Sequence, residues 1–344
     1  MRLADIDYAL PDELIAQHPI EPRDAARLLV AMGGVEHRHV RDLVEYVRPG
    51  DVLVVNETRV LPSRLSLKRT TGGRVEVLLL EALDEEDLEW EALVRPGRKV
   101  RDDEVLFADD GTRFLSVLRR SPAGDTFIVR VERGGSPVER RNAIREIGSM
   151  PLPPYITETL ADRDRYQTVY ANREASAAAP TAGLHFTPEL LEAVQAAGAK
   201  FATVELVVGL DTFKPVEVEN PLDHRIHTER YSVSEETWNT VQAAKRVIAV
   251  GTTSCRALES AASTGDLEGR TNLFITPGYE WKVVDVLMTN FHMPRTTLLL
   301  MISAFIGPGW RDIYAEAVQQ RYRFLSFGDA MLLERQREGI DVSG

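Results

Sequence analysis

The chain has a single cysteine, Cys255, among its 344 residues. That excludes an internal disulfide and any zinc site built from several thiolates. It has no run of about 20 apolar residues, the length that a membrane-crossing helix needs. Its longest apolar stretch, Leu298 to Ile306, is far shorter and is broken by Ser303. Positive charge is scarce: 41 Lys and Arg stand against 53 Asp and Glu, leaving a net charge of −12. A protein whose main task is to grip nucleic-acid backbone is normally basic, so any contact with RNA has to be local. Internal repeats, a low-complexity tail and a dinucleotide-binding glycine fingerprint are missing as well. Residues Met1 to Asp5 lack an apolar h-region, so no secretory leader is expected and the cytoplasm is the expected compartment.

What is present is an ordinary globular composition, 44% hydrophobic and 27% charged, in a chain long enough for two domains. A short helix is predicted after Pro11, at Asp12 to Gln17. A compact buried strand follows at Asp51 to Val55, after Pro49-Gly50. From Ser63 the pattern changes to short alternating segments: Ser63 to Thr70, Arg74 to Glu81, Leu88 to Val94, Val105 to Ala108, Arg113 to Arg119 and Thr126 to Glu132. Gly72-Gly73 and Asp110-Gly111 mark tight hairpins within it. After Met150 helices and strands alternate. Thr187 caps a helix that ends near Gly198. Lys200 to Val208 reads as a strand and Glu235 to Lys245 as a helix. Val247 to Val250 is a buried strand leading into a helix through Cys255 to Ala262, and Leu273 to Thr276 is a further strand. The expected fold is α/β: a large layered α/β domain, residues 1–62 and 150–344, with a small antiparallel β-barrel domain inserted at 63–149.

Five segments carry side chains suited to chemistry. Gly251-Thr252-Thr253-Ser254 joins a strand to a helix; its free N–H groups suit a phosphate or carboxylate, with Arg256 as a bidentate partner, or simply cap the helix. His185, in Ala179 to Thr187 with Thr181 and Gly183, is either a proton-transfer group or a packed imidazole. Asn290 and His292 lie in a second Pro-terminated loop, where Asn290 can read a purine edge or cap the loop. His224, His227 and Glu229 lie close together, but their spacing does not match a helical zinc motif. Glu229 fits better as a proton acceptor or as a partner for a ligand cation, and no metal is expected. Asn56, Thr58 and Arg59, with Arg23, Asp24 and Arg27, can meet a carboxylate or an RNA phosphate, or form a solvated loop.

The wording of these segments is more specific than their chemistry. Tyr8 to Gln17, Gly50 to Val60, Thr71 to Leu80, Pro151 to Ile156, Arg165 to Ala171, Ala179 to Thr187, Val250 to Arg256, Pro277 to Tyr279, Thr289 to His292 and Ser326 to Leu332 occur together in one order. In these runs, spread over nearly its whole length, the chain resembles the S-adenosylmethionine:tRNA ribosyltransferase-isomerase family of queuosine biosynthesis. It departs from the family pattern in Val207 to Phe213, where a His and a Gly are replaced (Val207 and Asp211), at Ile226, and in Glu174 to Ala177.

The resemblance implies a transferase and isomerase that modifies tRNA. The ribosyl part of S-adenosylmethionine moves onto 7-aminomethyl-7-deazaguanine at the wobble position, giving epoxyqueuosine-tRNA, adenine and methionine. S-adenosylmethionine is then a consumed substrate, no separate cofactor is needed, and the partner is a tRNA with a queuosine-type anticodon. A monomer is expected. A diverged S-adenosylmethionine-dependent enzyme with another acceptor is the competing expectation. Within this resemblance His185, His292 and Glu229 are the proton-transfer candidates, Gly251 to Ser254 with Arg256 form the anion cradle, and Tyr279 or Phe186 stacks on a base. RNA is expected against Arg95, Arg98, Lys99 and Arg101, and against Arg140, Arg141 and Arg145.

Overall fold

The computed structural model describes residues 1–122, 124–158, 160, 162–209, 215–226 and 228–336. His227 and Leu210, Asp211, Thr212 and Phe213 therefore lie outside the described residues.

In chain order the structure begins with β1 (Arg27–Ala31), β2 (Val35–His39), β3 (Asp51–Asn56) and β4 (Thr58–Val60). Six strands follow: β5 (Arg64–Arg69), β6 (Arg74–Ala82), β7 (Glu89–Arg95), β8 (Glu104–Phe107), β9 (Arg113–Arg120) and β10 (Phe127–Val131). Next come α1 (Pro137–Ile147), β11 (Arg173–Ser176), α2 (Pro188–Ala196), β12 (Lys200–Leu206), β13 (Glu229–Ser232) and α3 (Glu235–Gln242). The chain continues through β14 (Arg246–Val250), α4 (Thr252–Thr264), β15 (Glu268–Thr271), β16 (Val286–Asn290), α5 (Thr297–Ile306), α6 (Trp310–Gln319) and β17 (Ala330–Glu334).

Nine strands form one mixed sheet in the order β15-β13-β12-β3-β14-β16-β17-β1-β2. Its centre, β12-β3-β14-β16, is parallel. Strands β3 and β14 are buried along almost their whole length, because both faces are covered, whereas β12 alternates buried and partly exposed residues. Val52 and Val54 of β3 pack into one core with Val247 and Ala249 of β14, whereas Leu53, Val55, Ile248 and Val250 pack into another on the opposite side. The period of two sends alternate residues to opposite faces of the sheet. The strands between Arg64 and Val131 close into an antiparallel barrel, β10-β7-β6-β5-β8-β9, around a core of its own that includes Phe114, Trp90 and Leu65. Gly72 and Gly111, both at positive φ, turn the β5–β6 and β8–β9 hairpins. The α/β layering and the barrel are thus the expected ones. Among the described residues no helix is long and apolar enough to cross a membrane.

Three expected elements differ. The helix after Pro11 is a single 3-10 turn, Asp12–Leu14. α3 stops at Gln242, before Lys245. Leu273 to Thr276 is not a strand. The neighbouring strand is Glu268–Thr271, and pairing ends where the Thr271 hydroxyl takes the Leu273 N–H (3.0 Å). The apolar side chains of 273–275 then turn to line a cavity.

Candidate active site

In parallel α/β sheets ligands gather beyond the carboxyl ends of the strands, where the chain turns into helices. Here β14 runs into Gly251, whose φ of +87° is a conformation that glycine adopts without strain, and then into α4. The first intrahelical bond of α4 is Cys255 N–H to Gly251 C=O, so the N–H groups of residues 252–254 have no carbonyl of their own helix to meet. Thr252 and Thr253 line a cleft of about 610 Å³, counted to its open mouth, together with Thr181, Asn290, His292 and Tyr155. The Thr253 hydroxyl is buried without a partner. Ser254 does not share this role, because its hydroxyl turns back onto the Val250 carbonyl (2.7 Å).

The two histidines expected to work as a pair are held differently. His292 lines the cleft, with Nε2 at 3.2 Å from the Thr289 hydroxyl and Nδ1 at 3.2 Å from the Tyr314 hydroxyl. Burial pushes its imidazole down to about 3, so it is neutral near pH 7. His185 sits behind Asn290 rather than in the cleft. The Thr181 hydroxyl donates to Asn290 Oδ1 (2.9 Å), which orients the amide so that its Nδ2 donates to His185 Nε2 (3.1 Å) and to the Asp329 carbonyl (3.3 Å). The Nε2 lone pair is thereby occupied. Burial first, and then the nearby Arg323 and Arg23, push the His185 imidazole down to about 4. An imidazole with its acceptor nitrogen already engaged cannot take a proton from a ligand in the cleft, so His185 braces Asn290 instead.

A second cavity, about 1190 Å³ to its mouth, lies between the sheet and the barrel. Leu298 lines both cavities. Glu229 at the start of β13 and Arg256 on α4 are both buried here and form an ion pair. Glu229 Oε1 also accepts the Gly209 N–H (3.2 Å). Arg256 Nε and Nη2 remain buried without a hydrogen-bond partner. The barrel supplies Glu81, Glu91, Asp125 and Thr126 to the same cavity, and Glu81 pairs through both oxygens with Arg270 (2.9 and 3.1 Å). His224 is part of this wall. Arg256 therefore does not complete the Gly251–Ser254 turn: it belongs to the second cavity, a helical turn away from the first.

The sequence profile of a family described as "Queuosine biosynthesis protein" matches residues 3–333. The chain is 51% identical to the S-adenosylmethionine:tRNA ribosyltransferase-isomerase of Symbiobacterium thermophilum over 97% of its own length and 100% of that protein. It is also 51% identical to the enzyme of the same name from Rubrobacter xylanophilus, over 97% and 98%. The chain belongs to the queuosine biosynthesis protein family. A crystal structure of S-adenosylmethionine tRNA ribosyltransferase from Thermotoga maritima is similar at 38% identity, covering 96% of this chain and 99% of that one, with a TM-score of 0.54.

In this member of the queuosine biosynthesis family, several expected site residues lie away from both cavities. Asn56 is fully buried and spends its amide on the Leu206 backbone and the Thr58 N–H. Thr58 is buried beside it, and Arg59 reaches Asp164 at 3.5 Å. Gly183 is a packing glycine: a Cβ there would sit 2.0 Å from the Tyr170 hydroxyl oxygen. Phe186 is fully buried in the core, so no base can stack on it. Tyr279 donates to Glu259 (3.0 Å) and packs edge-on against Trp281. Arg23 holds three backbone carbonyls, and Arg27 lies over the Tyr322 ring. Of the expected RNA faces, α1 is largely neutralised, since Arg141 pairs with Asp87 and Arg145 with Glu174. Sequence reasoning missed Tyr155, Ser326 and Leu298, whose signal was faint: Tyr155 follows a proline run and Ser326 precedes Phe327-Gly328.

Proposed function

We propose that this chain transfers and isomerises the ribosyl moiety of S-adenosylmethionine onto 7-aminomethyl-7-deazaguanine at the tRNA wobble position, releasing adenine and methionine and leaving epoxyqueuosine in the tRNA. The observation that carries this reading is family membership over almost the whole chain, joined to two cavities that meet at Leu298. One suits a flat base and the other a charged donor. S-adenosylmethionine is consumed, and the reading calls on no separate cofactor. It takes the chain as a cytoplasmic monomer, with residues 63–149 a domain inserted into a discontinuous one of residues 1–62 and 150–344.

In this reading the charged cavity takes the methionine end. Arg256 has two N–H groups to offer a carboxylate side-on. Glu229 beside it takes the ammonium, and the sulfonium faces the acidic barrel wall. The ribosyl group then lies across Leu298, toward His292, the Thr253 hydroxyl and the free N–H groups of α4. The bond to adenine and the carbon–sulfur bond break, each leaving group keeping its electron pair. The anomeric carbon also gives up its bond to the ring oxygen, and three bonds form in place of those lost. The acceptor's amine nitrogen bonds to the anomeric carbon. That carbon bonds to the carbon that carried sulfur, which closes the carbocycle. The ring oxygen bonds to the carbon that carried sulfur, which makes the epoxide. The proton beside the sulfonium and one amine proton are given up; adenine takes one and the other is released. Glu229 is the base candidate for the acidic proton next to the sulfonium, and His292 meets the ribosyl oxygens or departing adenine by exchanging the Thr289 hydroxyl that now engages its Nε2.

The test is a turnover assay without added metal, using S-adenosylmethionine and tRNA carrying 7-aminomethyl-7-deazaguanine. Mass spectrometry follows free adenine and the tRNA. Adenine release matched by a ribosyl-sized mass gain on the tRNA is the expected result. Binding of S-adenosylmethionine without adenine release would overturn the acceptor assignment. Attention would then pass to Val207, a departure from the family pattern that lines the charged cavity.

A further inference from the structure

We propose that the pocket walled by Arg23 and Arg165, with Arg323 beside it, seats a backbone phosphate of the RNA next to the modified nucleotide, and so fixes the side from which the RNA approaches. This rests on the reading above that the acceptor is a tRNA. The pocket is a shallow one, about 230 Å³ counted into open solvent with enclosed room for little more than one water, so the phosphate sits at its mouth; its lining includes Pro19, Ile20, Arg23, Arg165, His185 and Ser326. Ser326 also lines the apolar cleft, so one residue separates the basic pocket from the cavity that suits a base. A nucleotide has this layout, with its phosphate a few ångströms from its base.

The hydrogen bonds of the three guanidinium groups go mainly to carbonyls, while the carboxylates of Glu21, Asp162 and Asp329 lie near enough to act on them. Arg23 donates to the carbonyls of Gln167 (2.8 Å), Leu184 (3.2 Å) and Asp164 (3.1 Å). Arg323 donates to the His18 carbonyl. Arg165 donates to the Ile20 carbonyl (2.8 Å), and its Nε lies 2.5 Å from Glu21, a side chain that is 68% exposed. Carbonyls hold these side chains in place without cancelling their charge. The buried His185 imidazole registers the resulting field, since Arg323, Arg23 and Arg165 all act to lower its proton affinity after burial itself.

The opposite approach is unfavourable for a polyanion. The cavity between sheet and barrel carries Glu81, Glu91, Asp125 and Glu229 against Arg256 and Arg270. Local potential decides where phosphate settles, because the chain as a whole is strongly acidic. The two openings therefore sort the substrates: phosphate on the arginine side, sulfonium on the barrel side.

The experiment measures tRNA binding across a salt series for the wild type, Arg165→Gln, Arg323→Gln and their double variant, with S-adenosylmethionine titrations on each to show that the fold survives. Arg165→Lys, which keeps the charge, serves as a milder companion. The expected loss is roughly tenfold in tRNA affinity per arginine, with the log–log salt slope falling by about 0.7 per contact, as for single-stranded RNA. Affinity for S-adenosylmethionine stays within about twofold. A triple variant of the exposed barrel loop, Arg95→Gln/Arg98→Gln/Lys99→Gln, is expected to change neither quantity. The docking is overturned, with the acceptor reading intact, if wild-type protein modifies tRNA while the double variant keeps its affinity and slope, or if the barrel-loop variant carries the loss. Wild-type protein that binds S-adenosylmethionine but no tRNA overturns both.

Discussion

In the apolar cleft and just behind it lie two buried imidazoles; burial pushes His292 down to about 3, and burial together with the nearby Arg323 and Arg23 pushes His185 down to about 4. In the cavity beside the barrel, Glu229 and Arg256 are buried to much the same depth but face each other. A buried imidazole sheds its proton to avoid carrying charge into a low-dielectric site, whereas Glu229 and Arg256 meet each other as an ion pair. One cavity therefore offers neutral donors and acceptors and the other a fixed dipole of full charges, which is the division of labour that a neutral base and a cationic donor require.

The largest expected effect comes from breaking the charged pair. Arg256→Ala takes a buried guanidinium away from the Glu229 carboxylate, at a cost of roughly 3–5 kcal/mol in folding stability, read from denaturant midpoints. Its affinity for S-adenosylmethionine is expected to fall by about 100-fold or more, since charge-assisted bidentate contact with the carboxylate goes with it. The double variant Glu229→Gln/Arg256→Met recovers most of the stability but none of the affinity. If Arg256→Ala binds S-adenosylmethionine as tightly as wild type, the charged cavity does not hold the methionine end.

The neutral imidazoles give the next effect, and its sign follows from proton counting. Both folded values lie below the ordinary histidine value of 6.5, so the unfolded chain binds more protons between that value and the folded ones. Stability is then fully present above pH 6.5 and is lost as pH falls toward about 4 for His185 and about 3 for His292, by a few kcal/mol each. Thermal midpoints recorded from pH 7 to pH 4 are expected to fall. His185→Gln, which can still accept from Asn290, is expected to flatten part of that slope. A midpoint unchanged over this range would mean that the histidines are not desolvated in solution and would remove the contrast between the cavities.

Sequence periodicity was enough for the architecture, because the decisive signals are local. The two-sided apolar run at 51–55, the Gly-marked hairpins of the barrel and the Thr187 cap, whose hydroxyl does accept the Leu190 N–H at 3.1 Å, all act within a few residues. Residues 273–276 show the limit: apolar content marked them as a strand, but strand formation needs a neighbour with free backbone, and these side chains face a cavity. The site was legible as residue types and not as groupings. Arg256 follows the Gly251–Ser254 turn in sequence, but it stands one turn further along α4, where it meets Glu229, 27 residues distant in the chain. His185 and His292 look equivalent in their loops, and only the third dimension puts Asn290 between His185 and the cleft. Glu259, fully buried, accepting the N–H groups of 282–284 and the Tyr279 hydroxyl, gave no sign in the sequence that it would claim Tyr279.

The smallest effect sharpens the comparison within the apolar cleft itself. Thr253 has a buried hydroxyl with no partner at the first turn of α4, beside backbone N–H groups that the helix does not use. An unpartnered buried hydroxyl contributes nothing to stability and carries a desolvation cost, so the near-isosteric Thr253→Val is expected to leave folding stability unchanged or raise it by up to about 1 kcal/mol. If the hydroxyl is kept for a ribosyl oxygen, the same change lowers turnover by about 5- to 10-fold, the worth of one hydrogen bond, with binding of S-adenosylmethionine less affected. The two readouts move in opposite directions only if the hydroxyl serves a ligand. Stability that falls together with turnover would instead make Thr253 part of the helix's own framework, and the free end of α4 would drop out of the reaction.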